Sequence, residues 1–259
     1  MIAQLESVVT PIKLTESEVR FYNEEGYLPL PGFVKADAVA GLRQEVLDIL
    51  AAHGISEDSL RQATSSADKL RQNSQYLEGS LLDSLINSTE TMAVASRLIG
   101  GKAYRYLPFT AVKSGGGGGT FHFHQDNNYT FHEPATGSIN IWVALVDMTP
   151  ENGCLQMIPR SHLKGQIKSR KSDDGDNHQQ FDVDPIDCIP MRMRAGDAVA
   201  FTRWTVHGSG PNDTNEARVA YALQCHREDV KWRDGEQFKR LVDSPRFSTP
   251  PVSTLGPKK

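Results

Sequence analysis

Three side chains carry the chemistry this sequence points to: His124, Asp126 and His207. His124 and Asp126 stand two residues apart in Thr120-Phe121-His122-Phe123-His124-Gln125-Asp126-Asn127-Asn128, directly after five consecutive glycines, Gly115 to Gly119. On a β-strand, residues i and i+2 face the same side. An imidazole nitrogen and a carboxylate oxygen then converge on one point, Gln125 turns away, and by strict alternation His122 shares the face. His207 lies far along the chain at an expected strand end, before Gly208-Ser209-Gly210-Pro211, where small residues leave room beside the ring. Two histidines and one carboxylate occupy one face of an octahedral metal and leave three positions open, the arrangement of non-haem Fe(II) oxygenases. With no thiolate in the set, iron fits better than structural zinc. The bland alternative for His124 and Asp126 is an ion pair on a surface strand.

The elements that must position these groups change character along the chain. Thr15 with Glu18 forms a capping box for a helix ending near Gly26. Tyr27 to Pro31 reads as an edge strand, since its prolines cannot continue a helix. Further helices are expected over about 35–53 and 79–99 from the spacing of Val39, Leu42, Val46 and Leu50 and of Leu81, Leu85, Met92 and Leu98. From Ala103 on, strand signals dominate: 103–107, 110–113, the motif strand, and 138–147, expected half-buried from its alternation. A turn at Glu151-Asn152-Gly153 would make a hairpin with 154–159, and strands over 189–193, 198–201, 204–212 and 218–225 complete the set. Residues 14–100 thus form a helical support, 101–226 a β core of about eight strands in two sheets closing on a pocket, and 244–259 a proline-rich tail, all within one domain spanning 1–259. The polar stretches 54–78 and 164–188 are candidate lids.

Composition excludes several classes. A net charge of −4 argues against a nucleic-acid or anionic-membrane partner. No apolar run approaches the roughly 18 residues of a membrane helix. Three cysteines, Cys154, Cys188 and Cys225, are an odd number without CxxC spacing and indicate neither a disulfide framework nor a zinc cluster. No basic-then-apolar leader opens the chain, so a cytoplasmic protein is expected.

Four motifs in order resemble the phytanoyl-CoA dioxygenase family. They are Gly26-Tyr27-Leu28-Pro29-Leu30-Pro31-Gly32-Phe33, His124-Gln125-Asp126, Asn152 to His162, and His207-Gly208-Ser209-Gly210-Pro211-Asn212 followed by Arg218. The resemblance covers about residues 14–226. It implies a mainly β fold with flanking helices, built on a double-stranded β-helix (jelly-roll, cupin-like) core. It implies Fe(II) with His124, Asp126 and His207 as ligands, 2-oxoglutarate as co-substrate, and O2. Arg218 would bind the distal carboxylate of 2-oxoglutarate, a task that suits a guanidinium fork. Ser209, Trp142 and, more loosely, Lys69 match further co-substrate contacts. Without the resemblance, Arg218 also reads as a surface bridge to Glu216 or Asp213, and Trp142 as core.

The expected activity is hydroxylation of a small, polar molecule with release of succinate and CO2. In related halogenases a small residue replaces the carboxylate of the triad, so Asp126 argues against halogenation. The same centre could instead desaturate, cyclise or cleave a C–P or C–N bond. From other classes, a cupin-like metal hydrolase or isomerase and a non-catalytic binding module compete. For substrate contacts the sequence offers Asn127, Asn128 and Tyr129 after the metal motif and Arg203 and Trp204 before His207. Oligomeric state is not legible.

Overall fold

The structure is a computed structural model and describes residues 7–61, 75–171, 179–244, 246 and 249–256. In chain order the elements are α1 (Glu16–Glu25), β1 (Tyr27–Leu30), α2 (Val39–Ala52), α3 (Leu81–Asn87), α4 (Thr89–Ile99), β2 (Ala103–Arg105), β3 (Phe109–Lys113) and β4 (Phe121–His124). Then come β5 (His132–Glu133), β6 (Ser138–Ala144), β7 (Gln156–Met157), β8 (Arg170–Lys171), β9 (Gln179–Gln180) and β10 (Ile189–Pro190). The last are β11 (Ala198–Thr202), β12 (His207–Ser209), β13 (Arg218–Arg227), β14 (Lys231–Asp234) and β15 (Gln237–Arg240).

Side chains cap the starts of α1, α3 and α4, where free backbone amides need partners. Thr15 and Glu18 form the capping box of α1, which Gly26 ends in the left-handed region at φ 84°. Gly26 is required twice over, because a Cβ there would also collide with His162. α2 starts later than its periodicity suggests: the Lys35 amide is bonded to Val8 O at 2.9 Å, and helix begins only after Ala38. The single helix expected over 79–99 is two. Ser88 leaves the helical region at ψ 148°, and its hydroxyl caps α4 by accepting from the Thr91 amide.

Two antiparallel sheets form the body. The larger runs β1-β11-β6-β13, with β3 and β2 paired end to end along β13; the smaller runs β10-β7-β12-β4. Pro29 sits in β1 at the sheet edge, where its missing N–H costs no ladder bond. Helices cover one face of the larger sheet, packing Leu42, Val46, Leu85 and Ile99 against Ile141, Val143 and Leu223. Its other face packs Trp142, Phe201 and Ala222 against Leu155, Met157 and Met191 of the smaller-sheet side. With both faces covered, β6 is buried at every position, not at alternate ones. The expected hairpin between 138–147 and 154–159 does not form: β6 and β7 belong to different sheets, and the turn ending at Gly153 (φ 69°) carries the chain across.

The molecule is thus a mixed fold of N-terminal helices packed on mostly antiparallel sheets. β14 and β15 add a hairpin that pairs with β5. Residues 249–256 are tied back onto the approach to α3, with Tyr76 Oη donating to Thr249 O and Val252 bridging to Leu77. Among the described residues no helix is long and apolar enough to cross a membrane.

Candidate metal centre

His124 and His207 are cross-strand partners on β4 and β12, with ring centroids 4.4 Å apart. Asp126 approaches from a 3₁₀ turn, Asp126–Asn128, that begins just past the end of β4. Its Oδ1 lies 3.8 Å from Nε2 of each histidine, and the three potential ligand atoms all lie within 4.8 Å of one another. All three side chains are buried.

Backbone carbonyls set the tautomers. His124 Nδ1 lies 2.6 Å from His122 O, and His207 Nδ1 lies 3.0 Å from Thr205 O. A carbonyl oxygen can only accept, so each Nδ1 carries the proton and each Nε2 keeps its lone pair for the common point. Burial acts to raise the Asp126 carboxyl, but His207, Arg203, His124 and the Asn140 amide outweigh it and hold the group below its usual range. The centre therefore turns two Nε2 atoms and a carboxylate toward one point.

His122 does not join them. Between Phe121 and His124, β4 carries one residue more than β12 does over its matching stretch. This bulge breaks the alternation and turns both Phe121 and His124 into the cavity. Gly208 permits it, since a Cβ there would stand 2.9 Å from Phe121 O.

A cavity opens beside the triad, with about 430 Å³ of empty space counting its open mouth. Phe109, Phe121, Leu155 and Phe201 form its apolar walls. Asn140, Trp142, Ser209 and Arg218 also line it. Arg218 is 2% exposed; Nη1 donates to Gly153 O at 2.9 Å and Nη2 to Ala111 O at 3.1 Å. Its guanidinium lies 5.1 Å from the Trp142 ring centroid. Burial lowers its pKa to about 9, so it stays protonated at neutral pH. Neither Glu216 nor Asp213 pairs with it; among the described residues Glu216 faces Arg61 instead. Arg218 Nε, Ser209 Oγ and Asn140 Oδ1 are buried without a hydrogen-bond partner. A buried cation with an unpaired guanidinium N–H and a hydroxyl beside it suit an anionic, oxygen-rich ligand, while Asn140 Oδ1, an acceptor, suits a donor.

Other sequence candidates serve the framework. Arg203, 4% exposed, donates through Nη2 to Asp126 O (2.8 Å) and Thr130 O (2.9 Å), clamping the turn that carries Asp126. Asn127 accepts from the His132 amide and donates to Gln166. Asn128 donates to Ile167 O and Ser169, and Trp204 to Gln166. None of these four lines the cavity. Tyr129 does not line it either, but its ring stands edge-on to His124 at 5.2 Å. Gln125, turned away as expected, fastens the start of the 164–188 excursion by bonding Gly165 O and the Ile167 amide. Lys69 lies outside the described residues. Sequence reasoning missed Asn140, although counting two residues back from Trp142 along β6 reaches it. It also missed Phe109 and Phe201, which carry no polar signature.

A sequence model of the phytanoyl-CoA dioxygenase (PhyH) family matches residues 22–220. A phytanoyl-CoA dioxygenase of Arabidopsis thaliana is 26% identical, over 88% of this chain and 94% of its own. A methylphosphonate hydroxylase of Gimesia maris is 29% identical, over 95% of this chain and 92% of its own. An L-proline trans-4-hydroxylase of Streptomyces griseoviridis is 27% identical, over 83% and 87%. Among solved structures, the non-haem α-ketoglutarate-dependent carbocyclase SnoK of nogalamycin biosynthesis superposes with a TM-score of 0.65 at 22% identity, covering 87% of this chain and 88% of that one, a likeness of fold.

Proposed function

The chain belongs to the phytanoyl-CoA dioxygenase family of 2-oxoglutarate-dependent non-haem iron oxygenases, and from that premise we propose that it hydroxylates a small, polar organic molecule. The single observation that carries this reading is the meeting, in one buried cavity, of the His124–Asp126–His207 triad with the unbalanced cation Arg218. The two facing antiparallel sheets support a double-stranded β-helix core.

The residues present fit the groups the family uses. Two Nε2 lone pairs and a carboxylate make the donor set of a facial iron site. Arg218 and Ser209 offer N–H and O–H donors to a carboxylate, and Trp142 backs the guanidinium. When bound, iron supplies the oxidative decarboxylation of 2-oxoglutarate to succinate and CO2 and the transfer of one oxygen atom of O2 to the substrate.

The chain's own part is placement. Arg218 and Ser209 anchor the distal carboxylate of the co-substrate, and the triad histidines keep their tautomers through the His122 and Thr205 carbonyls. Asn140 Nδ2 donates to Asp126 Oδ2 at 3.3 Å and fixes that carboxylate's rotation. Phe109, Phe121, Leu155 and Phe201 keep the reacting face dry. Of the five candidate substrate residues, Tyr129 packs its ring edge-on against a triad histidine, His124. Hydroxylation is favoured over other outcomes because two sequence relatives are hydroxylases of small polar molecules.

Anaerobic protein with Fe(II) and 2-oxoglutarate should develop a weak visible charge-transfer band, and Asp126→Ala and His207→Ala should abolish it. In air, succinate should form with a metabolite panel. A protein with neither band nor succinate is not this enzyme.

A further inference from the structure

One lysine and the glycine run after it have no part in the reading so far. Lys113 ends β3 and is fully buried at 0% exposure. Its Cα is the cross-strand partner of Arg218, so both cations leave the sheet on one face. Arg218 lines the cavity and Lys113 does not. The Lys113 ammonium instead donates to the carbonyl oxygens of Ser209, at 3.3 Å, and Gly210, the residues that lead away from His207. It also lies 5.2 Å from the Phe121 ring centroid. Burying an ammonium costs several kcal/mol unless it is well bonded. A residue that merely filled this space would be apolar.

The glycines continue the same contact. The Gly116 amide donates to Thr214 O at 2.8 Å, the Gly117 amide to Asn212 O at 2.7 Å, and the Asn212 amide to Gly118 O at 3.0 Å. Side chains are excluded from this docking. A Cβ on Gly115 would stand 2.7 Å from Thr214 O, one on Gly118 would collide with the Ser114 carbonyl, and Gly116 and Gly117 have positive φ. The run is therefore a fitted saddle under the segment joining His207 and Ser209 to Arg218.

We propose that Lys113, seated by the glycine run, is the positioning residue of the co-substrate anchor. The inference rests on the 2-oxoglutarate reading above. By holding the Ser209 and Gly210 carbonyls toward its ammonium, Lys113 keeps two acceptor dipoles off the anion that Arg218 and Ser209 bind. It also fixes the span between the His207 imidazole and the Arg218 guanidinium that a dicarboxylate must bridge.

The test is an anaerobic 2-oxoglutarate titration of the Fe(II)-loaded protein, read by the charge-transfer band, with Fe(II) affinity measured separately by chelator competition. Lys113→Met should raise the 2-oxoglutarate Kd about tenfold, the size of one charge-assisted hydrogen bond, and leave Fe(II) affinity unchanged. Ser209→Ala should add little on the Lys113→Met background, because Lys113 acts through that strand. Gly118→Ala, which alters no charge, should give the same selective loss and carries the test if Lys113→Met does not fold. A wild-type 2-oxoglutarate Kd in either single variant, full additivity with Ser209→Ala, or a parallel loss of Fe(II) affinity overturns the proposal. Absence of the band in the wild-type protein overturns the underlying reading instead.

Discussion

Two regions flank the same three ligands and treat their polar side chains in opposite ways. On the loop side, Arg203, Asn127 and Gln125 are buried and spend their polar atoms on backbone or neighbouring side chains, and Asn128 does the same with its donors, leaving only Oδ1 without a partner. On the cavity wall, Asn140, Ser209 and Arg218 each keep one buried polar atom without a partner. A satisfied buried network stiffens a structure, whereas an unsatisfied one costs free energy until a ligand arrives. On the proposed reading, the loop side holds the metal ligand Asp126 still and the wall binds the co-substrate.

The largest effect should come from breaking the wall. Arg218→Ala removes the cavity's cation and should raise the 2-oxoglutarate Kd about 100-fold, the range for truncating a buried charged partner. Fe(II) binding in the absence of co-substrate should persist, because no triad atom bonds Arg218. Titration of both ligands checks the split. If iron and 2-oxoglutarate affinity fell together, the wall would be framework too, and the contrast would collapse.

The loop side should fail differently. Arg203→Met strips partners from Asp126 O, Thr130 O and Asn127 Oδ1 at once. Asp126 O keeps the Tyr129 amide and Asn127 Oδ1 the His132 amide, so the loss of three bonds at about 1 kcal/mol each should cost about 3 kcal/mol of unfolding free energy, measured by urea denaturation. Iron affinity should drop with stability, since the turn presenting Asp126 loosens. A variant of wild-type stability that had lost only substrate turnover would move Arg203 to the binding side, where its sequence position first suggested it.

That reversal shows what was legible in the sequence and what was not. The triad was legible because an HxD spacing and a distant histidine before small residues are local patterns. Even so, the geometric reason was only partly right: Asp126 is presented by a turn, and a bulge removes His122 from the shared face. Arg218 was legible from its register at the start of an apolar strand. The partners of Asn127 and Arg203 were not, because Arg203 reaches across many residues of chain to the Asp126 turn and no local pattern encodes that. The split of one expected helix at Ser88 turned on a single cap, and the assignment of β7 to the second sheet turned on where one short turn sends the chain.

His132 is the case that sharpens the comparison, because it sits on the loop side yet its Nε2 has no partner. Its amide is bonded to Asn127, its Nδ1 lies 3.0 Å from Ser138 Oγ, and its ring packs edge-on against Tyr106 at 5.0 Å. It does not line the cavity, so its orphaned nitrogen should bind nothing and act on stability alone. Burial, with Arg203 and His226 adding to it, holds the imidazole well below its ordinary pKa. A histidine depressed in the folded state is neutral there while the unfolded chain takes up a proton. Its stabilising contribution is therefore complete above the unfolded pKa of about 6.5 and is lost as pH falls below it. Between pH 7.5 and 5.5 this one group should account for roughly 1 kcal/mol of the wild-type protein's loss of stability. His132→Gln should lose about that much less over the same interval in urea melts, with 2-oxoglutarate and Fe(II) affinities unchanged at pH 7.5. A shifted 2-oxoglutarate affinity in this variant would mean that any orphaned polar atom near the triad takes part in binding. An unshifted one means that only those facing the cavity do.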